Sequence, residues 1–205
     1  MLFRSNPAII YAAAVDVSSG LYAIYKTINS GVAWNLQYNA LNILSYDDGT
    51  APGGQGNYDL GFTVDPLNPN HLFIGGVNIW SSTDGGLNFD PATHWTTQYG
   101  NSIHGDIHYI TYQPLTSKYF VGSDGGVYRT SNIVSETWTN INLGSLWPTV
   151  WENMNSGMQV SSFYRISSSR STSNELVGGV QDNASMYFDG TTRSEERRVG
   201  KECRL

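Results

Sequence analysis

The sequence predicts an all-β chain of propeller type, a fragment of about three to four blades of an incomplete ring. Three observations carry this. The composition is turn-rich and poor in charge: 22 glycines, 13% aromatic and only 14% charged residues in 205, against roughly 25% charged in an ordinary soluble domain. No sustained 3.6-residue apolar period runs through the first 150 residues. Finally, a two-part pattern recurs at a spacing of about fifty residues, the length of a four-stranded blade.

The first part of the pattern is a polar turn, a short apolar strand and then small residues. It occurs as NPAIIYAAA (6–14), NPNHLFIGG (68–76), LTSKYFVGS (115–123) and TSNELVGGV (172–180). The second part follows as TINSGVAW (27–34) and SSTDGGLNF (81–89), with a looser TSNIVSETW (130–138). Its closing aromatics Trp34, Phe89 and Trp138 are 55 and 49 residues apart. An Asp or Asn side chain in such a turn accepts backbone N–H groups. A glycine supplies the positive φ, and the aromatic fills an apolar slot between strands. Asn29, Gly31, Trp34, Asp84, Gly86, Phe89, Asn132 and Trp138 are therefore expected to be structural, with calcium at Asp84 as the alternative.

These elements place blades at about 6–40, 57–100, 103–143 and 158–190. A Gly-rich insertion, SYDDGTAPGGQGN (45–57), separates the first two, and LWPTVWENMNSG (146–157) joins the last two. In the third blade IHYITYQP, KYFVGS, GVYRTS and TWTNIN are expected as successive strands. Residues 193–205, RSEERRVGKECRL, depart from this composition: eight of thirteen are charged. They resemble translated sequencing-adapter read-through and are expected to be a non-native, disordered tail. Without them the chain has six Lys plus Arg against fourteen Asp plus Glu, and no cysteine. The acidic balance argues against nucleic acid, and no apolar run reaches the ~18 residues of a membrane span.

The chemistry-bearing stretch is HGDIH, residues 104–108, which holds half of the four histidines. Strand alternation would point His104, Asp106 and His108 one way. Three readings are open: a hydrogen-bonded network; a divalent-metal site needing a further ligand; or glycoside hydrolysis by two carboxyls. In the first, Asp106 is expected to accept a hydrogen bond and to ionise readily. Asp106, Asp124 of SDGG and Asp182 of QDN are the candidate catalytic carboxyls. His104, His108, Asn78, Trp147 and Trp151 are the candidate binding residues. No cofactor and no metal are assigned. Trp80, Trp95, Tyr99 and Tyr164 are surplus to the turn slots.

The second motif resembles the Asp-box, or BNR repeat, of sialidases, sortilin-type receptors and family 74 xyloglucanases. HGDIHYITYQP, SDGGVYRTS and LVGGVQDN in this order are similar to the Asp-box propellers of large secreted bacterial proteins of the xyloglucanase and sortilin group. That resemblance covers roughly residues 6–190. It implies a secreted or cell-surface protein whose partner is an extracellular glycan or polypeptide, completed by the missing blades of the same chain. It also implies, as the alternative, a xyloglucanase-like hydrolase using paired aspartates on the channel face. Sialidase chemistry would need an arginine cluster, and only Arg4, Arg129, Arg165 and Arg170 precede the tail.

Overall fold

The computed structural model describes residue 3 and residues 6–96, 103–135, 149–158, 162–171, 174–181, 185–191 and 193–196. All regular structure among them is β, in four antiparallel sheets whose strands pair in chain order. Trp138, Trp147, Tyr99, Asp182 and the expected strand TWTNIN lie outside the described residues.

The first sheet comprises β1 (Ile10–Val15), β2 (Leu21–Thr27) and β3 (Asn35–Tyr38). The second comprises β4 (Gly61–Val64), β5 (Leu72–Gly75), β6 (Ile79–Ser82) and β7 (Asp90–Pro91). The third comprises β8 (Ile107–Gln113), β9 (Lys118–Ser123), β10 (Gly126–Thr130) and β11 (Glu152–Asn153). Each sheet is an antiparallel meander with its strands in chain order, the architecture of a propeller blade. Alternation decides the packing. In β5 and β6, Leu72, Ile74 and Trp80 point into one apolar core with Tyr11, Ile24, Tyr38 and Phe89 of or beside the first sheet. Phe73 and Ile79 point the other way, into a second core with Ile107, Ile110, Tyr119 and Val121. The second sheet is thus buried on both faces, which is why its strands read as nearly continuous apolar runs.

The outer strand of the third sheet corrects the sequence reading. β10 pairs with β11, Tyr128 opposite Asn153 and Arg129 opposite Glu152, so the sheet runs past residue 143 into the segment read as a connector. Side chains explain the choice of partner. Glu152 takes a two-donor contact from Arg129, Nε at 2.9 Å and Nη2 at 2.7 Å, and Lys118 of β9 pairs with its other oxygen.

A second unit, Gly157–Leu205, holds the fourth sheet: β12 (Phe163–Ser168), β13 (Leu176–Val180), β14 (Ser185–Phe188) and β15 (Arg193–Glu196). β15 holds the first four residues of the charged segment, which pair with β14 from Phe188↔Arg193 to Ser185↔Glu196. The reason is that a strand edge pairs through backbone groups, to which a charged composition is indifferent. Residues 197–205 lie outside the described residues.

The turns after β2 and β6 share one hydrogen-bond scheme. Thr27 Oγ1 donates to Asn29 Oδ1 and accepts from Gly31 N, while Asn29 Oδ1 also accepts from Ala33 N. Ser82 Oγ donates to Asp84 Oδ1 and accepts from Gly86 N, while Asp84 Oδ1 accepts from Leu87 N and Asn88 N. At the third motif, among the described residues, the Thr130 hydroxyl accepts from Asn132 N and donates to Asn132 O. Phe89 fills its slot, edge-on to Tyr38 at 5.1 Å. Trp34 does not: it lies against its own turn at Gly31 and is 43% exposed. Phe89 is received by the preceding sheet, and among the described residues no sheet precedes the first one to receive Trp34.

Candidate functional site

The insertion at 45–57 is fastened to the first sheet. The Asn42 amide donates to the carbonyls of Ala51 and Gly53, and its oxygen accepts from Leu21 N. Gly56 N donates to Ser19 O at 2.9 Å. Gly54 is required here, because a Cβ would lie 2.5 Å from the Leu44 carbonyl oxygen. The far side of the insertion carries Tyr46, Gln55 and Tyr58 toward the start of the third sheet.

A cleft of about 260 Å³ opens there, lined by Tyr46 and Gln55 of the insertion, Val77 and Trp95 of the second blade, and His104, Gly105 and Asp106. Trp95 is 39% exposed. Its indole Nε1 donates to Asp47 Oδ1 at 3.3 Å, and its backbone N to Asn78 Oδ1 at 2.7 Å. Asn78 is fully buried, and its amide donates to Tyr46 O at 2.7 Å. Asn78 thus stands behind the cleft and joins two of its walls. Trp151 is buried as well. It is 7% exposed within the second core, where apolar neighbours rather than a groove surround its ring.

HGDIH is not a strand with alternating faces. β8 begins only at Ile107, Asp106 has φ 60°, and the register shifts between Ile107 and Tyr109. A left-handed residue followed by a bulge breaks the period of two. Asp and Asn tolerate that conformation better than most side chains. The segment is a corner, and it brings together groups from three places. His108 Nε2 lies 2.6 Å from Asp124 Oδ1. The Tyr58 hydroxyl reaches the same carboxylate at 3.3–3.4 Å and its ring meets His108 edge-on at 4.9 Å. Gln55 Nε2 donates to Asp106 Oδ1 at 2.9 Å. His104 Nδ1 sits 3.1 Å from Gly105 O. The DGG turn that presents Asp124 is held by Asn155, which donates to Gly125 O and accepts from Val127 N. Gly125 must lack a Cβ, which would fall 2.2 Å from that of His104.

The residue that sequence reasoning missed is Asp59. It is fully buried, neither carboxyl oxygen receives a hydrogen bond from a donor of another residue, and it lies within hydrogen-bonding reach of the Asp106 carboxyl. Desolvation first, then the negative charge of Asp106, pushes its pKa up to about 7, with its own backbone N–H pulling less strongly the other way. Desolvation and the Asp124 charge also raise Asp106, against the opposing pull of His104 and Gln55. This reverses the expectation that Asp106 ionises readily. Two neighbouring carboxyls cannot both be charged at ordinary cost, which favours one proton shared between them. Asp59 is its natural seat, since Asp106 already accepts from Gln55. The available signal was the repeat itself: Asp59-Leu-Gly-Phe enters β4 as Asp106-Ile-His-Tyr enters β8.

Among the described residues no group of His, Cys, Asp or Glu is arranged to hold a metal ion, and no helix is long and apolar enough to cross a membrane.

No family model matches the chain. It is 26% identical over 162 residues to a xyloglucanase of Hypocrea jecorina (strain QM6a), a match covering 69% of this chain and 18% of that protein's length. Among solved structures it is similar to the GH74 enzyme of Niastella koreensis, at 16% identity and TM-score 0.48 over 94% of this chain and 28% of that one. It is likewise similar to the GH74 xyloglucanase of Xanthomonas campestris, at 8% identity and TM-score 0.49 over 94% and 29%. YCF48 from Cyanidioschyzon merolae gives 15% identity and TM-score 0.42 over 91% and 55%.

Proposed function

We propose that this chain is part of an extracellular Asp-box propeller that engages a β-linked glycan in the cleft between the 45–57 insertion and the third sheet. One observation carries the reading. The exposed Trp95 ring and Tyr46 flank a pocket whose other walls are Gln55, His104 and Asp106. An apolar ring face beside a few fixed donors and acceptors is the arrangement that holds a sugar: the ring stacks, and the polar groups read its hydroxyls. The sequence similarity to a xyloglucanase supports xyloglucan as the first glycan to try. A secreted or cell-surface location follows from the same reading.

The raised carboxyl of Asp106, facing the cleft, favours a second reading as a glycoside hydrolase. Asp106 would pass the proton it shares with Asp59 to the glycosidic oxygen. Asp59 cannot be the partner, because touching carboxyls are closer than the ~5–9.5 Å that either stereochemical course needs. Asp124, tied to His108, is the remaining described candidate for the base.

Titration calorimetry with xyloglucan oligosaccharides tests the binding reading. Trp95→Ala is expected to weaken binding at least about tenfold, the scale of one lost stacking contact, with the fold intact. Equal affinity of the variant and the parent would contradict it. Release of reducing ends that Asp106→Asn abolishes would select the hydrolase reading instead.

A further inference from the structure

We propose that the proton shared by Asp59 and Asp106 is a latch: it holds the far side of the 45–57 insertion onto the third sheet and closes the cleft in acid, and its loss releases that wall. The inference does not depend on what the cleft binds.

The geometry divides the insertion into a permanent end and a conditional end. At the permanent end, the Asn42 amide and the Gly56–Ser19 backbone bond tie the loop to the first sheet through neutral groups. At the conditional end, the loop's side-chain hydrogen bonds to the third sheet run to carboxyls, beside the edge-on contact of the Tyr58 ring with His108. Gln55 donates to Asp106, Tyr58 to Asp124, and Asp59 meets Asp106. Asp59 follows directly on the loop and is anchored to it, its N and that of Tyr58 both donating to Gln55 O at 2.9 and 2.7 Å. The groups facing Asp59 are Asp106, Asp124 and His108, and His104 faces Asp106. No donor of another residue reaches the Asp59 oxygens. A protonated Asp59 gives Asp106 its second hydrogen bond. An ionised Asp59 leaves two negative charges in contact, one of them out of water, and the way to relieve this is to swing Gln55 and Asp59 outward.

The pH window follows. The latched state holds the Asp59 proton up to about pH 7, whereas an opened, solvated Asp59 has the ordinary value of 3.8. Protonation therefore favours closure fully below pH 3.8. That advantage falls about tenfold per pH unit until it is spent near pH 7.

Amide hydrogen exchange on the full chain, corrected for the intrinsic pH dependence, reads the latch at Tyr58 and Asp59. Asn42 N, bonded to Gly49 O at the permanent end, is the internal control. Protection of Tyr58 and Asp59 is expected to fall about a hundredfold between pH 5 and pH 8, with Asn42 unchanged. Asp59→Asn, whose amide can donate to Asp106 at any pH, is expected to stay protected at both. Should that variant fail to fold, Asp106→Asn removes the repulsion from the other side and keeps a residue tolerant of φ 60°; because burial of Asp59 persists in it, a clearly smaller loss than the parent's is expected. Equal protection at pH 5 and 8 in the parent, or the same loss in the variants, would overturn the latch. So would restoration of protection at pH 8 by millimolar calcium, which would make the corner a cation site.

Discussion

Asp84 and Asp59 are aspartates of the same sheet neighbourhood with opposite surroundings. Asp84 closes the turn after β6. Desolvation alone would lift its pKa, but hydrogen bonds from the side chain and N–H of Asn88, the Ser82 hydroxyl and Leu87 N outweigh it and leave the group lowered. Asp59 stands at the entry to β4 with no neighbour's donor at either oxygen and a second carboxyl beside it, and its pKa rises to about 7. A carboxylate ringed by donors does turn chemistry and nothing else. A carboxyl deprived of them stores a proton, and with it a capacity to respond. The corner that lines the cleft is distinguished from the scaffold by this scarcity of donors, more than by its residue types.

The largest test of the contrast is stability against pH. Asp59 is a group whose folded pKa is raised, so its contribution is complete below 3.8 and lost as pH rises through about 7. Asp59→Asn removes that loss. Chemical denaturation should show the variant gaining on the parent by about 3 kcal/mol between pH 4 and pH 8, since each tenfold difference in proton affinity between folded and unfolded chain is worth about 1.4 kcal/mol. A constant difference across this range would mean that the two carboxyls do not share a proton.

The opposite behaviour is expected of Asp84. Its alanine variant should lose about 1–2 kcal/mol at neutral pH, as removal of a turn or cap acceptor does. Because its folded pKa is lowered, the parent's advantage should shrink only below about pH 4, as the carboxylate is protonated. Asn29→Ala, which removes a neutral acceptor from the matching turn after β2, should cost about 1 kcal/mol with no pH dependence. If Asp84→Ala lost glycan binding while folding normally, its turn would belong to the site after all.

What was legible in the sequence divides along the same line. Turn chemistry and alternation are local: Thr27-x-Asn29 and Ser82-x-Asp84 announce their own hydrogen bonds, and Leu72-Phe73-Ile74 announces a strand buried on both faces. These quantities need only neighbours in the chain. The errors arose where a distant partner decides. Trp34 and Phe89 occupy equivalent motif positions, yet among the described residues only Phe89 has a preceding sheet to enter. Trp151 reads as a candidate binding residue in the connecting segment and is drawn into the second core. The strand β11 was hidden because Glu152 finds Arg129 and Lys118 across more than twenty residues of chain. HGDIH was recognised as polar and chemically loaded, but alternation failed at Asp106, whose positive φ turns the chain before β8 starts. Asp59 is legible only through its repeat position, matching Asp106, because YDLG by itself does not tell that its carboxyl meets another 47 residues later.

Carbon-detected NMR titration of the aspartate carboxyls measures the claim directly, since each side chain reports its own protonation. One titration from about pH 2 to about pH 9 should show Asp84 ionising below the usual 3.8 and Asp59 still protonated at pH 5, with its midpoint near 7. Asp106→Asn should bring that midpoint down by relieving the like charge. Asp59 and Asp84 ionising together in the ordinary carboxylate range would contradict the account, and the cleft corner would then be scaffold like the turns around it.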